Sequence, residues 1–190
     1  MRWVSATRSR VYCLFLPMRR HRPSMHCSLL DGREENGLSN MNMRFEKPTF
    51  DLLRKMGWTE HRAVDPAPFL ACLLADGYEP FPKIKPFLQR FGGLSGDMPA
   101  YRVAGAFDRI DFHPAHAISC TCREQVTAYE ARVHEKLLPV GMAYNRYMTL
   151  LLSQTGRLFG GYDDFLCLIG NDVQEAMSNL FERRDMPEVS

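Results

Sequence analysis

The stretch YMTLLLSQTGRLFGGY, residues 147–162, contains the clearest indication of how this chain folds. Residues 147–153 and 157–162 are rich in apolar and aromatic side chains, and each run has the length of a strand. Between them lies Gln154-Thr155-Gly156, in which the glycine can adopt the left-handed conformation of a tight turn. The stretch therefore predicts a β-hairpin.

Helix signals lie on both sides of this hairpin. Asp65-Pro66 is typical of a helix start, because aspartate caps the first turn and proline there lacks only an N–H that would have no partner. The patterns predict helices over residues 50–56 (capped by Thr49), 65–77, 85–91 and 123–138, and a last helix capped by Asn171 or Asp172. Strands are predicted between residues 101 and 112 and from residue 139 onward, and residues 185–190 are expected to be a frayed tail. This order of elements predicts a single α+β domain.

The charge is distributed unevenly along the chain. Residues 1–42 contain seven arginines and three acids, whereas residues 43–190 contain 17 basic and 19 acidic side chains. A mildly acidic domain is poorly suited to bind nucleic acid, which requires a clustered basic surface. No apolar run approaches the ~18 to 20 residues of a membrane span. We therefore expect neither a nucleic-acid nor a membrane partner.

The first part of the chain differs from the rest. Residues 1–30 contain six arginines, no acid and no helical or alternating pattern. Such a segment fits a transit-peptide-like extension, a disordered basic arm, or a translation start assigned too early, with Met41 or Met43 as the true start. We expect residues 1–42 to be a disordered or extraneous extension and residues 43–190 to be the folded domain.

The six cysteines lack the density and spacing of a disulfide framework. They lie at positions 13, 27, 72, 120, 122 and 167. This distribution predicts reduced thiols in a cytoplasmic protein.

One cluster of possible metal ligands is present. Imidazole and thiolate are the ligands that zinc prefers, and His113, His116, Cys120 and Cys122 lie within ten residues. Paired cysteines in structural zinc sites are usually separated by two to four residues, whereas only Thr121 separates this pair. The pattern favours a loop histidine pair and two strand cysteines over a small metal-dependent enzyme, which stays an alternative.

Carboxylate pairs could also serve acid–base chemistry. Asp108 with Asp111, and Asp163 with Asp164, are more typical of solvated turns, and adjacent residues of a strand point to opposite faces. Gly92-Gly93 and Gly160-Gly161 are expected in backbone turns. The chain contains no phosphate loop, dinucleotide fingerprint or Gly-x-Ser-x-Gly motif. A well-formed core without concentrated chemistry predicts a binding protein that has no catalytic residues and no cofactor.

Several motifs resemble the third of the SUKH immunity families over about residues 50–184. The most specific is Phe87-Leu88-x-x-Phe91-Gly92-Gly93-Leu94, which follows Gly57-Trp58 in the order typical of that family. The other matching segments are Arg62, Val64, Gly77-Tyr78, Leu138-Pro139-Val140-Gly141 and residues 150–159 and 168–180. Residues 1–42 have no counterpart in the family, and Cys120-x-Cys122 is unusual there.

The resemblance implies a mixed, mainly antiparallel sheet flanked by helices, with Trp58, Phe87 and Phe91 in the core. It also implies a non-enzymatic immunity protein of a bacterial polymorphic or contact-dependent toxin system. Its partner would be a cognate protein toxin, often a nuclease or deaminase. A regulatory scaffold of the same fold that binds a host protein is the alternative. The resemblance supplies no catalytic residues.

Two sets of residues are candidates for binding a toxin. An acidic face would steer association with the basic substrate groove of a nuclease, and its candidates are Asp163, Asp164, Asp172 and Glu175. Aromatic anchors usually contribute more binding energy than charges at the rim of an interface. Exposed tyrosines are therefore equal candidates, namely Tyr101, Tyr144 and Tyr162.

Overall fold

The computed structural model describes residues 43–100 and 103–190. The predicted extension, residues 1–42, lies outside the described residues, and so does the candidate Tyr101. The described helices are α1 (Lys47–Lys55), α2 (Ala67–Ala75), α3 (Ile84–Phe91), α4 (Pro114–Cys120), α5 (Arg123–Val133) and α6 (Val173–Phe181). The described strands are β1 (Ser95–Pro99), β2 (Phe107–Asp111), β3 (Leu137–Ala143), β4 (Met148–Ser153), β5 (Leu158–Tyr162) and β6 (Phe165–Gly170).

The six strands form one sheet in the order of the chain, β1-β2-β3-β4-β5-β6. All neighbouring pairs are antiparallel. The hairpin predicted from residues 147–162 is β4–β5, in which Leu152 faces Leu158 and Gly156 has a φ of +98°. The predicted α+β class with a mainly antiparallel sheet is therefore confirmed.

The middle of the sheet is covered on both faces. Every residue of β3 and β4 is buried. Because successive side chains of a strand point to opposite faces, helices and loops must cover both sides of these strands.

The aromatic residues of the Gly-Trp and Phe-Leu-x-x-Phe motifs lie in the core, as predicted. Trp58 is 1% exposed and stacks on Phe91 with 6.4 Å between the ring centroids. Phe91 in turn lies 5.3 Å from Phe87 and 5.9 Å from Phe112. This cluster joins α3 to the residue that follows β2, so the motif holds the helical part of the domain on the sheet.

The helix predicted over residues 123–138 is too long. α5 ends at Val133 because His134 adopts the left-handed conformation with a φ of 54°. Leu137 then begins β3, and Pro139 lies inside that strand at an irregularity of the β3–β4 register. A bulge tolerates proline, since the residue there need not donate a ladder hydrogen bond.

Two other expectations about local structure were wrong. Thr49 is no helix cap but a buried residue of α1, and its hydroxyl donates to Glu182 Oε1 across 2.8 Å. Gly160-Gly161 lies in β5 and not in a turn. A Cβ atom at Gly161 would lie 2.6 Å from Cε2 of Tyr129, so the glycine provides space for that ring.

The end of the described chain is not a frayed tail. The amide of Leu168 donates to the carbonyl of Pro187 across 2.9 Å, and the amide of Val189 donates to the carbonyl of Leu166 across 2.8 Å. Residues 187–189 therefore cover the outer edge of β6, which would otherwise expose unpaired backbone groups.

Candidate functional site

A groove of about 480 Å³ opens at one end of the sheet. It lies between the β3–β4 turn and the β5–β6 turn, which are neighbours because Thr149 pairs with Gly161 across β4 and β5. The lining residues are aromatic or sulfur-containing, namely Tyr144, Tyr147, Met148, Tyr162, Phe165, Cys167 and Met186.

Two tyrosines of this groove are strongly exposed. Tyr147 is 80% exposed and Tyr162 is 47% exposed, and the ring of Tyr162 lies 5.0 Å from that of Phe165. Tyrosine is enriched at protein interfaces, since it combines a large apolar ring with a hydroxyl that can stay hydrated. The arrangement is therefore typical of a surface that binds another protein.

The β3–β4 turn presents Tyr147 through an unusual backbone. Tyr144, Asn145 and Arg146 all have positive φ, between 52° and 69°. Asn145 stabilises this turn through two hydrogen bonds to Arg109. Its side-chain Oδ1 accepts from the backbone amide of Arg109 across 2.8 Å, and its backbone amide donates to the carbonyl of Arg109 across 3.1 Å. Three consecutive residues in this region are costly, and such conformations concentrate at functional sites.

The β5–β6 turn is fixed from the side of α5. The carbonyl oxygen of Asp163 accepts from the hydroxyl of Tyr129 across 2.8 Å and from Gln125 Nε2 across 3.0 Å. The carbonyl oxygen of Asp164 accepts from Arg132 Nη1 across 2.8 Å. Burial raises the pKa of Tyr129, whose protonated hydroxyl is the donor in the contact to Asp163.

The carboxylates of this turn are available to a partner. Asp163 and Asp164 are both exposed. Neither carboxylate forms an ion pair with any residue that the structure describes. Two predicted acids thus lie at the same end of the sheet as two predicted aromatic anchors, of which Tyr162 is exposed and Tyr144 is half-buried.

The other two predicted acids lie at the N-terminus of α6. Asp172 Oδ1 accepts from the amide of Glu175 across 2.8 Å, so the predicted capping role of Asp172 is confirmed. Glu175 Oε2 in turn accepts from the amide of Asn171 across 2.7 Å. The two carboxylates therefore satisfy backbone donors in an arrangement close to a capping box.

The four predicted acids form two separate pairs. Asp172 lines a small depression together with Lys83 and Gly156, which belongs to the β4–β5 turn. Asp164 lies at the opposite end of β6, a strand of six residues and therefore about 20 Å away. The structure does not bring the four acids into one patch.

The histidines and cysteines of the possible metal site have other surroundings. His116 Nδ1 lies 3.0 Å from Oδ1 of the buried Asp111, and its ring stacks on that of His113. Burial, and then the neighbouring His116, lower the pKa of His113. Cys120 and Cys122 are exposed and were wrongly predicted in a strand, since the first ends α4 and the second precedes α5. Residues 43–100 and 103–190 contain no group of three or more His, Cys, Asp or Glu side chains that could hold a metal ion.

The carboxylates of Asp108 and Asp111 serve the fold. Asp108 Oδ1 accepts from Asn145 Nδ2 across 2.6 Å and so supports the β3–β4 turn, and Asp111 pairs with His116. The structure thus defines an α+β domain with an exposed aromatic groove at one end of its sheet.

Residues 45–183 match the SUKH-3 immunity protein family, and the chain belongs to this family. Membership implies a role in neutralising a toxin, and hence a protein toxin as the partner. The comparison with curated proteins found no match, and neither did the comparison with solved structures. Among the described residues, no helix combines the length and apolar character needed to cross a bilayer.

Sequence reasoning missed Tyr147, the most exposed aromatic side chain of the groove. The sequence pattern predicts this residue at the start of a strand, where alternate side chains are normally buried. The local signal was the preceding Asn145-Arg146, because asparagine tolerates the left-handed conformation and so indicates a turn at this position.

Proposed function

We propose that this protein binds a cognate toxin domain in the cytoplasm of the producing bacterium and blocks it without catalysing a reaction. The observation that carries the proposal is the match of residues 45–183 to an immunity protein family. The toxin belongs to a polymorphic or contact-dependent system, and its toxic domain is a nuclease or a deaminase.

The mechanism that we propose is occlusion of the toxin's substrate groove. Residues 43–190 carry 17 basic and 19 acidic side chains, so the domain does not repel a cationic partner. An acidic surface speeds association with a nuclease groove that is itself basic, and then occupies the space of the phosphate backbone. Asp163 with Asp164 and Asp172 with Glu175 are the two alternative acidic pairs for this contact, since they lie at opposite ends of β6.

A toxin gene beside the gene of this protein would supply the cognate toxin domain, and co-expression of the two proteins tests this function. We expect cells that produce the toxin domain to survive only when this protein is also present, and the two purified proteins to form a stable complex. Equal killing with and without this protein, when it is produced in folded form, would contradict the proposal. An assay of the purified toxin domain alone shows whether it degrades nucleic acid, as a nuclease does, or deaminates it.

A further inference from the structure

We propose that the groove lined by Tyr144, Tyr147, Tyr162 and Phe165 is the toxin-binding surface and that it holds an arginine side chain of the toxin. The arginine would project from a loop and stack against the exposed tyrosine rings. This inference rests on the proposed function, and it selects one of the two acidic pairs as part of the interface.

The groove has the side chains of an interface centre. Tyr147 and Tyr162 expose 80% and 47% of their surface, although most large apolar side chains of the described residues are buried. Tyrosine has few rotatable bonds, so it loses little conformational entropy when a partner covers it. Such rings commonly supply a large share of the binding energy of an interface.

The two turns beside the groove carry two acids, Asp163 and Asp164, and one base, Arg146, so their net charge is negative and favours a cation. No lysine, arginine or histidine lines the groove. Asp163 and Asp164 connect two lining residues, Tyr162 and Phe165, and both carboxylates are exposed. A guanidinium group stacks on aromatic faces and binds carboxylates in bidentate fashion, so arginine matches both properties.

Arg132 lines a depression together with Asp163 and Asp164 but forms no ion pair with either carboxylate. Arg132 donates to the backbone carbonyl oxygens of Asp164 and Val189. It therefore orders the turn and the covering segment while leaving the side chains of Asp163 and Asp164 to a partner.

The groove is also built before any partner arrives. Tyr129, Gln125 and Arg132 hold one of its turns through hydrogen bonds to backbone carbonyl oxygens. Asn145 holds the other turn. A surface that is ordered in advance avoids part of the entropy cost of association.

The second acidic pair offers a less suitable surface. The carboxylates of Asp172 and Glu175 already accept hydrogen bonds from the backbone of α6 and of Asn171.

Two matched double variants test the assignment against the toxin domain encoded by the neighbouring gene. Asp163→Asn with Asp164→Asn removes two charges beside the groove, and asparagine tolerates the positive φ of Asp163. Asp172→Asn with Glu175→Gln removes two charges at α6 but keeps groups that can cap the helix. The third variant is Tyr147→Ala, whose exposed side chain contributes little to folding.

We expect the groove pair and Tyr147→Ala each to raise the dissociation constant by about 30-fold or more, the size of an interface hot spot. The α6 pair should change it by less than about 3-fold, as charges outside an interface do. The groove pair should also weaken the dependence of the association rate on ionic strength. Thermal unfolding of each variant checks that the fold is intact.

The outcomes separate the two proposals. If the wild-type protein binds the toxin domain but neither groove variant binds more weakly, the groove assignment is overturned and the immunity function stands. A larger loss for the α6 pair would place the contact at the other end of the sheet. If the wild-type protein does not bind the toxin domain at all, the proposed function is overturned, and the groove assignment with it.

Discussion

The guanidinium group of Arg62 donates a hydrogen bond to the carbonyl oxygen of Gly92 across 2.6 Å. This contact fixes the loop between α1 and α2 on the end of α3. Gly92 can bear no side chain, because a Cβ atom there would lie 2.5 Å from the carbonyl oxygen of Leu88 and 2.7 Å from Cε2 of Phe69. Arg90 makes the reciprocal contact to the carbonyl oxygen of Glu60. The family motif around these residues therefore joins the loop between α1 and α2 to the end of α3.

Arg62→Ala is expected to destabilise the domain without altering the groove. The substitution leaves the carbonyl of Gly92 without its donor, which costs about 1–3 kcal/mol. Urea unfolding measures the loss, and Lys55→Ala at an exposed position of α1 is the control. The folded fraction of Arg62→Ala should bind the toxin domain as the wild-type protein does, and a selective loss of affinity would assign Arg62 to the interface instead.

Tyr129→Phe is expected to loosen the β5–β6 turn. The variant keeps the ring that packs on Gly161 but removes the hydroxyl that donates to Asp163. We expect a loss of about 1 kcal/mol in the free energy of unfolding, the contribution of a typical hydrogen bond. Hydrogen exchange of the amides of residues 162–165 should also accelerate. Thr127→Ser, an exposed substitution on the same helix that keeps the hydroxyl bonded to the carbonyl oxygen of Arg123, should leave both measurements unchanged.

Asp172→Ala tests the cap of α6. Loss of the acceptor for the amide of Glu175 should lower stability by about 0.5–2 kcal/mol, whereas Asp172→Asn should cost little because asparagine caps helices equally well. Denaturant unfolding of both variants provides the comparison. Equal losses in the two would show that charge, and not capping, is what stabilises this end of α6.

Acid should weaken the domain partly through Glu135. Burial alone would raise the pKa of this carboxyl group, but hydrogen bonds from Ser153, Thr155 and Arg157 outweigh it and hold the pKa below its usual range. Because the folded pKa is the lower one, the stabilisation is fully present above the unfolded pKa and is lost as pH falls through the folded pKa. Glu135→Gln should thus lower the free energy of unfolding at pH 7, and its difference from the wild-type protein should shrink as the pH falls.

The matched control for this pH series is Glu79→Gln, which alters an exposed carboxylate. Its unfolding profile from pH 7 to pH 3 should follow that of the wild-type protein. A Glu135→Gln profile parallel to the wild type at all pH values would show that the carboxylate is not the group that titrates.

The reactivity of the Cys167 thiol should show whether the C-terminal residues 187–190 protect β6. Burial raises the pKa of this thiol to about 11, and its Sγ contacts the carbonyl oxygen of Gly160. Cys120 and Cys122 are exposed and should react quickly with maleimide, whereas Cys167 should react only after local opening. Removal of residues 187–190 should accelerate labelling of Cys167, and mass spectrometry of peptides locates the modified residue. An unchanged rate would show that the segment does not protect the thiol.

The parts of the fold that depend on local signals could be predicted from the sequence. Asp65 does accept from the amide of Ala67 across 3.0 Å at the start of α2, and the hairpin at Gly156 is present. The end of α5 could not be predicted, because histidine is not a residue that commonly ends a helix. The apolar pair Leu137-Leu138 fits a continuation of the helical pattern. Only the pairing with β4 places that pair in a strand.

The groove depends on contacts that no local pattern contains. Tyr147, Phe165 and Met186 are far apart in the sequence. The antiparallel ladders of β4, β5 and β6 bring the first two together, and the pairing of residues 187–189 with β6 adds Met186. The same pairing separates Asp164 from Asp172, although the two seemed to belong to one acidic region. Proximity in the sequence misleads here because an extended strand moves the chain by about 3.3 Å per residue.

Each strand of the sheet pairs with its neighbour in the chain, and this order also affects how quickly the domain can form. Within β3 to β6 the ladders close over short turns, so their assembly requires few distant segments to find one another. Only the β2–β3 pairing has to wait for the two helices between them. Topologies dominated by local pairings fold faster than those that join remote segments. A protein that we propose disarms a toxin made in the same cell benefits from that speed, because protection begins only when the newly synthesised chain has folded.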